Sequence, residues 1–255
     1  MPIEIVQIPC LSDNYGYLVH DEATGKVACI DTPDPEAING ALAKYGWQLS
    51  HIFNTHHHWD HTGGNLALKE KWGCEIVGPK GEADKIPGLD RVVGSGDTVN
   101  LGASSADVSE TPGHTAGHIV YLFPDDHAAF VGDTIFALGC GRLFEGTAQE
   151  MWSSLSKISA WPSHTKLYCA HEYTAANAQF ALSIEPDFQP LLDRAASIHA
   201  ARDRGEPTVP MTVEEERATS PFLRAGTPEL AATLGMTGAH PVDVFAEVRR
   251  RKDNF

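Results

Sequence analysis

The segment Thr55-His56-His57-His58-Trp59-Asp60-His61 begins at the end of His51-Ile-Phe-Asn-Thr, which is predicted to be a β-strand. In an extended chain, residues two apart project to the same side, so His56 and His58 share one side and His57 points away. Asp60 and His61 follow where the chain must turn, and they can face a second point nearby. Clustering these polar groups at a strand end is costly unless a cation satisfies them, so the segment predicts a metal site.

Three more candidate ligands each stand just after a β-like run. They are His114 in Thr111-Pro-Gly-His-Thr, Asp133 in Val131-Gly-Asp-Thr and His171 in Cys169-Ala-His-Glu-Tyr. Loops at one edge of a sheet could bring these side chains together. Structural zinc sites favour closed sets rich in cysteine, and no cysteine fits here, so the residues indicate a catalytic site. The histidines outside these motifs are interpreted as ordinary hydrogen-bonded residues.

The composition excludes several classes of protein. The chain has 255 residues and 19 Lys and Arg against 34 Asp and Glu, a net charge of −15 that disfavours nucleic acid as a partner. No apolar run is long enough to span a membrane, and no secretion signal is recognisable at the N-terminus. The five cysteines form no C-x-x-C pair, which favours a reducing, cytoplasmic location.

Short apolar strands with interspersed helices dominate the first two-thirds of the chain and predict an α+β fold of two sheets covered by helices. From Thr174 onward the pattern becomes mainly helical, so we predict one domain over residues 1–173 and a second over 174–255. The predicted helices are 35–45, with Asp34 as its N-cap, then 62–72, 185–204 and 241–253. Thr212 and Glu215 match a capping box before another short segment.

The motifs T-H-x-H-x-D-H, T-P-G-H-T and G-D-T together resemble the metallo-β-lactamase superfamily. More narrowly, the chain is similar to glyoxalase II, the hydroxyacylglutathione hydrolases. That narrower resemblance rests on Leu11-Ser-Asp-Asn-Tyr, Gly139-Cys-Gly-Arg-Leu-Phe-Glu-Gly, His171-Glu-Tyr-Thr and Arg250-Arg-Lys-Asp-Asn-Phe. The resemblance implies a four-layer αββα sandwich that binds two divalent metal ions. It assigns the first ion to His56, His58 and His114, the second to Asp60, His61 and His171, and the bridging position to Asp133.

The positive charge of two divalent cations is only partly offset by two carboxylates and one hydroxide, so the centre stays electrophilic. We expect Asp60 and Asp133 to act there with a metal-bridging hydroxide. That hydroxide would attack a carbonyl carbon. No general acid stands among the matched positions, which fits a thioester, because a thiolate leaves readily. Imidazole and carboxylate ligands suit zinc, and iron and manganese remain alternatives.

The resemblance also implies a glutathione pocket. On the last helix, Arg249 and Lys252 fall on the apolar stripe, and in glyoxalase II the corresponding residues bind the glycine carboxylate of glutathione. Arg142 would contact glutathione, and Tyr173 would hydrogen-bond its peptide part. Phe144 stands where relatives often carry tyrosine, so one hydroxyl contact is expected to be missing. The predicted reaction is hydrolysis of S-D-lactoylglutathione to glutathione and D-lactate by a monomer, in methylglyoxal detoxification.

Several alternatives remain open from the sequence. Asp31 either orients a ligand histidine or fills a turn before Thr32-Pro33. A mononuclear-iron persulfide dioxygenase acting on glutathione persulfide shares the histidine motif, although the complete second ligand set and the basic ending favour the hydrolase. A β-lactamase usually carries a cysteine ligand, and a tRNA-processing nuclease is disfavoured by the charge. A non-catalytic relative would have lost ligands, whereas all seven are present here.

Overall fold

The computed structural model describes residues 3–255, which form two compact units. The N-terminal unit comprises the described residues through Glu110 together with Ala116–Gly132. The C-terminal unit comprises Thr111–Thr115 and Asp133–Phe255. No helix in the described part of the chain has the length and apolarity needed to cross a membrane.

A mixed six-stranded sheet forms one half of the N-terminal unit. Its strands lie in sequence order, antiparallel from β1 to β3 and parallel from β3 to β6, as the helical crossovers require. The strands are β1 (Ile3–Cys10), β2 (Asn14–Asp21), β3 (Lys26–Ile30), β4 (Leu49–Phe53), β5 (Glu75–Pro79) and β6 (Arg91–Val93). The helices between them are α1 (Pro35–Tyr45), α2 (Trp59–Thr62) and α3 (Asn65–Trp72), followed by a 3-10 helix at Lys80–Lys85.

The other half is an antiparallel sheet in the order β10-β9-β8-β7. Its strands are β7 (Thr98–Leu101), β8 (Ser104–Glu110), β9 (Ile119–Phe123) and β10 (Ala128–Gly132), with a 3-10 helix at Pro124–Asp126. The two sheets pack face to face, since the ring of Tyr17 lies 5.5 Å from that of Phe130 and the ring of Phe53 lies 5.4 Å from that of Tyr121. Helices α1 and α3 bury Ile38, Leu42 and Leu68 against the outer face of the first sheet.

The C-terminal unit is mainly helical. It contains the hairpin β11 (Ile135–Phe136) and β12 (Gly139–Cys140) and the antiparallel pair β13 (Lys166–Cys169) and β14 (Met211–Thr212). Its helices are α4 (Ala148–Ser159), α5 (Thr174–Ile184), α6 (Gln189–Asp203), α7 (Val213–Thr219), α8 (Pro228–Thr233) and α9 (Pro241–Asp253), with a 3-10 helix at Arg224–Gly226. Helices α5 and α6 pack on each other through a core that includes Leu138 and Leu191.

The predicted α+β architecture with a helical C-terminal part is confirmed, as are the helices 35–45 and 241–253 and the two predicted caps. The start of the predicted helix 185–204 was wrong, because α5 ends at Ile184 and α6 begins only at Gln189. Glu185 precedes Pro186, and a residue before proline avoids helical geometry. The predicted helix 62–72 begins at Asn65, after Gly63 and Gly64. The domain division at 173/174 stays a prediction.

Candidate metal centre

The histidine segment lies where β4 ends and α2 begins. His56 and His61 are buried, whereas His58 and Asp60 are half-buried. The Nε2 atom of His56 lies 3.1 Å from Nδ1 of His58, so the two residues predicted to share a side do converge. His61 Nε2 and the Oδ2 atom of Asp60 lie 3.6 Å apart. The strand ends at Phe53 rather than at Thr55, so the ligands stand on the loop and the short helix after it.

These separations suit ligand atoms around a metal ion. At a metal–ligand distance of about 2.0–2.1 Å, neighbouring atoms of a tetrahedron lie about 3.3 Å apart. The 3.1 Å and 3.6 Å separations bracket that value. The donor set of imidazole nitrogens with a carboxylate oxygen therefore fits a small divalent ion in both chemistry and spacing.

Asp31 holds this ligand group from the end of β3. Its carboxylate accepts a hydrogen bond from His61 Nδ1 at 2.8 Å, and it also accepts from the backbone N–H and the hydroxyl of Thr55. The hydroxyl of Thr55 in turn contacts His56 Nδ1 at 3.0 Å. Because Nδ1 is engaged in both rings, Nε2 is the nitrogen left to face a metal. Of the two interpretations of Asp31, the structure supports the one in which it orients a ligand histidine.

Three further contacts at this segment, made by Asn14, Glu82 and His118, carried no clear signal in the sequence. Asn14, from the Leu11-Ser-Asp-Asn-Tyr motif, donates its side-chain amide to Asp60 Oδ2 at 3.1 Å. His57 points away from the ligands as predicted, and its ring and backbone N–H both donate to the buried carboxylate of Glu82. His118, which the sequence analysis treated as an ordinary residue, is buried with its ring 4.7 Å from that of His56.

Asp133 organises the ligands of the C-terminal unit. It follows β10, and its Oδ2 lies 3.3 Å from His114 Nε2 while its Oδ1 lies 3.5 Å from His171 Nε2. All three residues are buried. The Nδ1 atom of His114 is engaged by the carbonyl oxygen of Arg142 at 2.9 Å, which again leaves Nε2 for a metal. One carboxylate that directs each oxygen toward a different histidine is the arrangement expected of a bridging ligand.

Aromatic side chains flank these two histidines. The ring of Tyr173 stacks on His171 with centroids 4.7 Å apart and planes 5° from parallel. The ring of Phe144, 62% exposed, lies 5.2 Å from His114. Both residues were predicted to face the substrate, and both have exposed surface beside a candidate ligand.

The basic residues of α9 differ in their surroundings. Arg249 is 5% exposed, pairs with Asp253 at 2.8 Å and donates to the carbonyl oxygen of Cys140 at 2.9 Å. Lys252 is half-buried, and its amine lies over the rings of Phe180 and Phe255. Burial lowers the pKa of Lys252, and the nearby cations of Arg249 and Arg142 lower it further. Arg142, Arg249 and Lys252 therefore form one cationic group, although their contact with a substrate stays a prediction.

Two family models together cover most of the chain. Residues 17–171 match the metallo-beta-lactamase superfamily, and residues 172–255 match the hydroxyacylglutathione hydrolase C-terminus. A protein of Hyphomonas neptunium named hydroxyacylglutathione hydrolase is 54% identical over 253 residues, which are 99% of this chain and 98% of that protein. The chain belongs to the hydroxyacylglutathione hydrolase family of the metallo-β-lactamase superfamily. Membership of this family and the His and Asp clusters support the binding of divalent metal.

Solved structures agree with this fold. The B3 metallo-beta-lactamase BLEG-1 is 19% identical with a TM-score of 0.68, over 86% of this chain and 99% of that one. ETHE1 from Myxococcus xanthus is 26% identical with a TM-score of 0.67, over the full length of both chains. The sequence identity to the Hyphomonas neptunium protein is thus two to three times that to these two structures.

Proposed function

We propose that this protein hydrolyses S-(2-hydroxyacyl)glutathione thioesters, with S-D-lactoylglutathione as the substrate, to glutathione and a 2-hydroxy acid. The proposal draws on full-length relatives that carry the name hydroxyacylglutathione hydrolase at 50–54% identity. The structural observation that carries it is the carboxylate of Asp133, which directs one oxygen to His114 and the other to His171. A carboxylate placed in this way suits a centre of two ions rather than one, as required for hydrolysis by the predicted mechanism.

In the proposed centre, His56, His58 and His114 would hold one divalent ion, Asp60, His61 and His171 would hold a second, and Asp133 would bridge them. We propose zinc as the metal, with iron and manganese as alternatives that the same ligands accept. Two such ions would lower the pKa of water toward neutrality and stabilise the negative charge of the attacked carbonyl oxygen.

The protein's own residues set the geometry and charge of this centre. Asp60 and Asp133 offset part of the positive charge, and Asn14 fixes the orientation of the Asp60 carboxylate. Asp31 and the Arg142 carbonyl engage Nδ1 of His61 and of His114, which orients Nε2 of each ring as the metal-binding nitrogen. A thiol has a pKa of about 8.5, so a thiolate can leave without a protonating side chain at its sulfur.

Substrate recognition is proposed for the cationic group and the aromatic residues beside it. An acidic protein needs a local positive charge to bind the carboxylates of glutathione, and Arg142, Arg249 and Lys252 provide it. We propose that Tyr173 hydrogen-bonds the peptide part of the substrate, because its ring stacks on His171 and the residue remains 38% exposed. Phe144 supplies an apolar contact without a hydroxyl.

We further propose that the enzyme acts as a monomer in the cytoplasm, in methylglyoxal detoxification. All five cysteines are buried and none forms a disulfide, as suits a protein of a reducing compartment. Light scattering coupled to gel filtration tests the monomer, and a mass of twice 27.6 kDa would contradict it.

The proposed function is tested by incubating the purified metal-loaded protein with S-D-lactoylglutathione while following the release of free thiol and measuring bound metal. We expect catalytic thiol release with two metal ions per chain. Oxygen uptake on glutathione persulfide with one iron per chain, and no thiol release from the thioester, would instead support the dioxygenase.

A further inference from the structure

Glu82 is a buried carboxylate that lies outside every motif of the sequence analysis. Its side chain is 1% exposed, and it stands in the 3-10 helix after β5. A buried carboxylate is costly unless hydrogen bonds satisfy it. The groups that donate hydrogen bonds to Glu82 therefore indicate what the residue does.

Three donors converge on the two oxygens of Glu82. Oε2 accepts the backbone N–H of His57 at 2.7 Å and the Nδ1–H of the same residue at 2.8 Å. Oε1 accepts the backbone N–H of Gly117 at 2.9 Å. One carboxylate thus joins the centre of the histidine segment to the loop that leads into β9.

The contact with His57 constrains its two neighbours. His56 and His58 project from the side opposite His57, so fixing both the backbone and the ring of His57 fixes the peptide units that carry the two ligands. The carbonyl oxygens of His57 and His58 accept from the Thr62 hydroxyl at 3.4 Å and 3.1 Å. The segment between Thr55 and Thr62 is therefore held by side chains on both sides of its backbone.

Two glycines make room for this carboxylate. A Cβ atom on Gly117 would lie 2.6 Å from Glu82 Cγ and 2.8 Å from the carbonyl carbon of Gly81. A Cβ atom on Gly81 would lie 3.0 Å from the Cα of Gly117. The backbones at Gly81 and Gly117 approach so closely that only glycine at residue 117 lets Glu82 reach its N–H group.

We infer that Glu82 is a positioning residue for the metal centre, which acts through His57 to hold His56 and His58 in ligand geometry. This inference rests on the metal-binding part of the proposed function. Glu82 touches neither a predicted ligand side chain nor the reacting atoms in the described contacts. Its loss should weaken metal binding without removing a ligand.

The test measures binding of Co²⁺ to the apoprotein from its visible absorption, in competition with a chelator. For E82Q we expect the dissociation constant to rise about 10- to 100-fold, as is typical when a group behind a ligand is lost. In E82Q, an amide nitrogen replaces one carboxylate oxygen. That nitrogen would face an N–H group of His57 or of Gly117, so a hydrogen bond would be lost there. H57F removes the ring donor and should weaken binding in the same direction, whereas H57N keeps a donor at the same number of bonds from Cα and should bind nearly as wild type.

D21N is the matched control, because Asp21 is also a buried carboxylate of the N-terminal unit whose described hydrogen bonds come from Thr24, Ala103 and Ser104. We expect D21N to lower the stability of the apoprotein but leave cobalt affinity unchanged. The inference would be overturned if E82Q bound cobalt with the affinity and spectrum of the wild type. It would also be overturned if H57N weakened cobalt binding as much as H57F does. A wild-type apoprotein that binds no cobalt would overturn the proposed function as well.

Discussion

The candidate ligands of the two units are held in different ways. In the N-terminal unit, four ligands lie within six consecutive residues, and carboxylates from distant segments hold them, Asp31 at His61 and Glu82 at His57. In the C-terminal unit, three ligands come from separate stretches of the chain. There a backbone carbonyl engages His114 and an aromatic ring stacks on His171.

This difference in how the ligands are held predicts which substitutions should weaken each group of ligands. A ligand cluster on one short segment depends on side chains that fix that segment, so single substitutions behind the ligands should weaken it. Ligands from separate loops depend on the folding of those loops and on Asp133, the residue that contacts both histidines.

The largest effect is expected from D133A. Removing the carboxylate takes away the contact shared by His114 and His171, and we expect kcat to fall on the order of 10³-fold. The measurement is thiol release from S-D-lactoylglutathione together with metal content, and circular dichroism should show an intact fold. Turnover within about 10-fold of wild type would show that Asp133 does not unite the two sets.

D31N should have the next largest effect. The His61 Nδ1–H group and the two donors of Thr55 would share an amide instead of a carboxylate, so metal affinity should weaken about 10- to 100-fold. Chelator competition on the apoprotein measures this change. D34N is the control, since asparagine also caps α1 well and its metal affinity should match wild type. Equal affinity in D31N and D34N would contradict the role given to Asp31.

Substitutions of Lys252 and Arg249, the two cations of α9, should have different effects. K252M should raise KM about 10-fold with kcat little changed, because it removes one charge-assisted contact to the substrate. R249M should raise KM as well and also lower the free energy of unfolding by about 1–3 kcal/mol, because Arg249 is buried with two protein partners. Steady-state kinetics and urea unfolding measure both quantities. An unchanged KM in both variants would remove these residues from the substrate pocket.

The smallest effect is expected from Asp21, a carboxylate away from the histidine segment in sequence. Burial opposes its ionised form, but hydrogen bonds from Thr24, Ser104 and the Ala103 backbone outweigh burial and lower the pKa from 3.8 to about 2. Since the folded-state pKa is below the unfolded value, Asp21 stabilises the fold above about pH 4, and this contribution is lost as the pH falls toward about 2. We expect D21N to lower the free energy of unfolding at neutral pH by about 1–2 kcal/mol and to flatten its decline in acid. Urea unfolding at several pH values measures both, and an acid decline as steep as in wild type would contradict the prediction.

The sequence predicted the parts of the fold and site that depend on local spacing. The convergence of His56 and His58 follows from the two-residue repeat of an extended chain, and the start of α1 follows from its N-cap, Asp34. The start of α6 was predicted at Glu185 instead of Gln189, although Pro186 disfavours helical geometry at the residue before it. The pairing of Asp133 with His114 and His171 came only from the resemblance, because no local pattern joins residues so far apart.

The residues behind the ligands were the least predictable. Glu82 and Asn14 lie far in sequence from the atoms that they contact, and each belongs to a stretch whose local pattern indicates only a turn. Asp31 was recognised as a candidate, but its backbone φ of 53° and its three hydrogen bonds are tertiary features. Such contacts depend on the packing of whole strands rather than on the residues beside them.

Titration of the metal-free enzyme with zinc tests the central claim most directly. Thiol release from S-D-lactoylglutathione should rise until two zinc ions are bound per chain, and no further metal should increase it. Full activity with one zinc ion per chain, or no activity at any zinc concentration, would contradict a centre to which both ligand groups contribute.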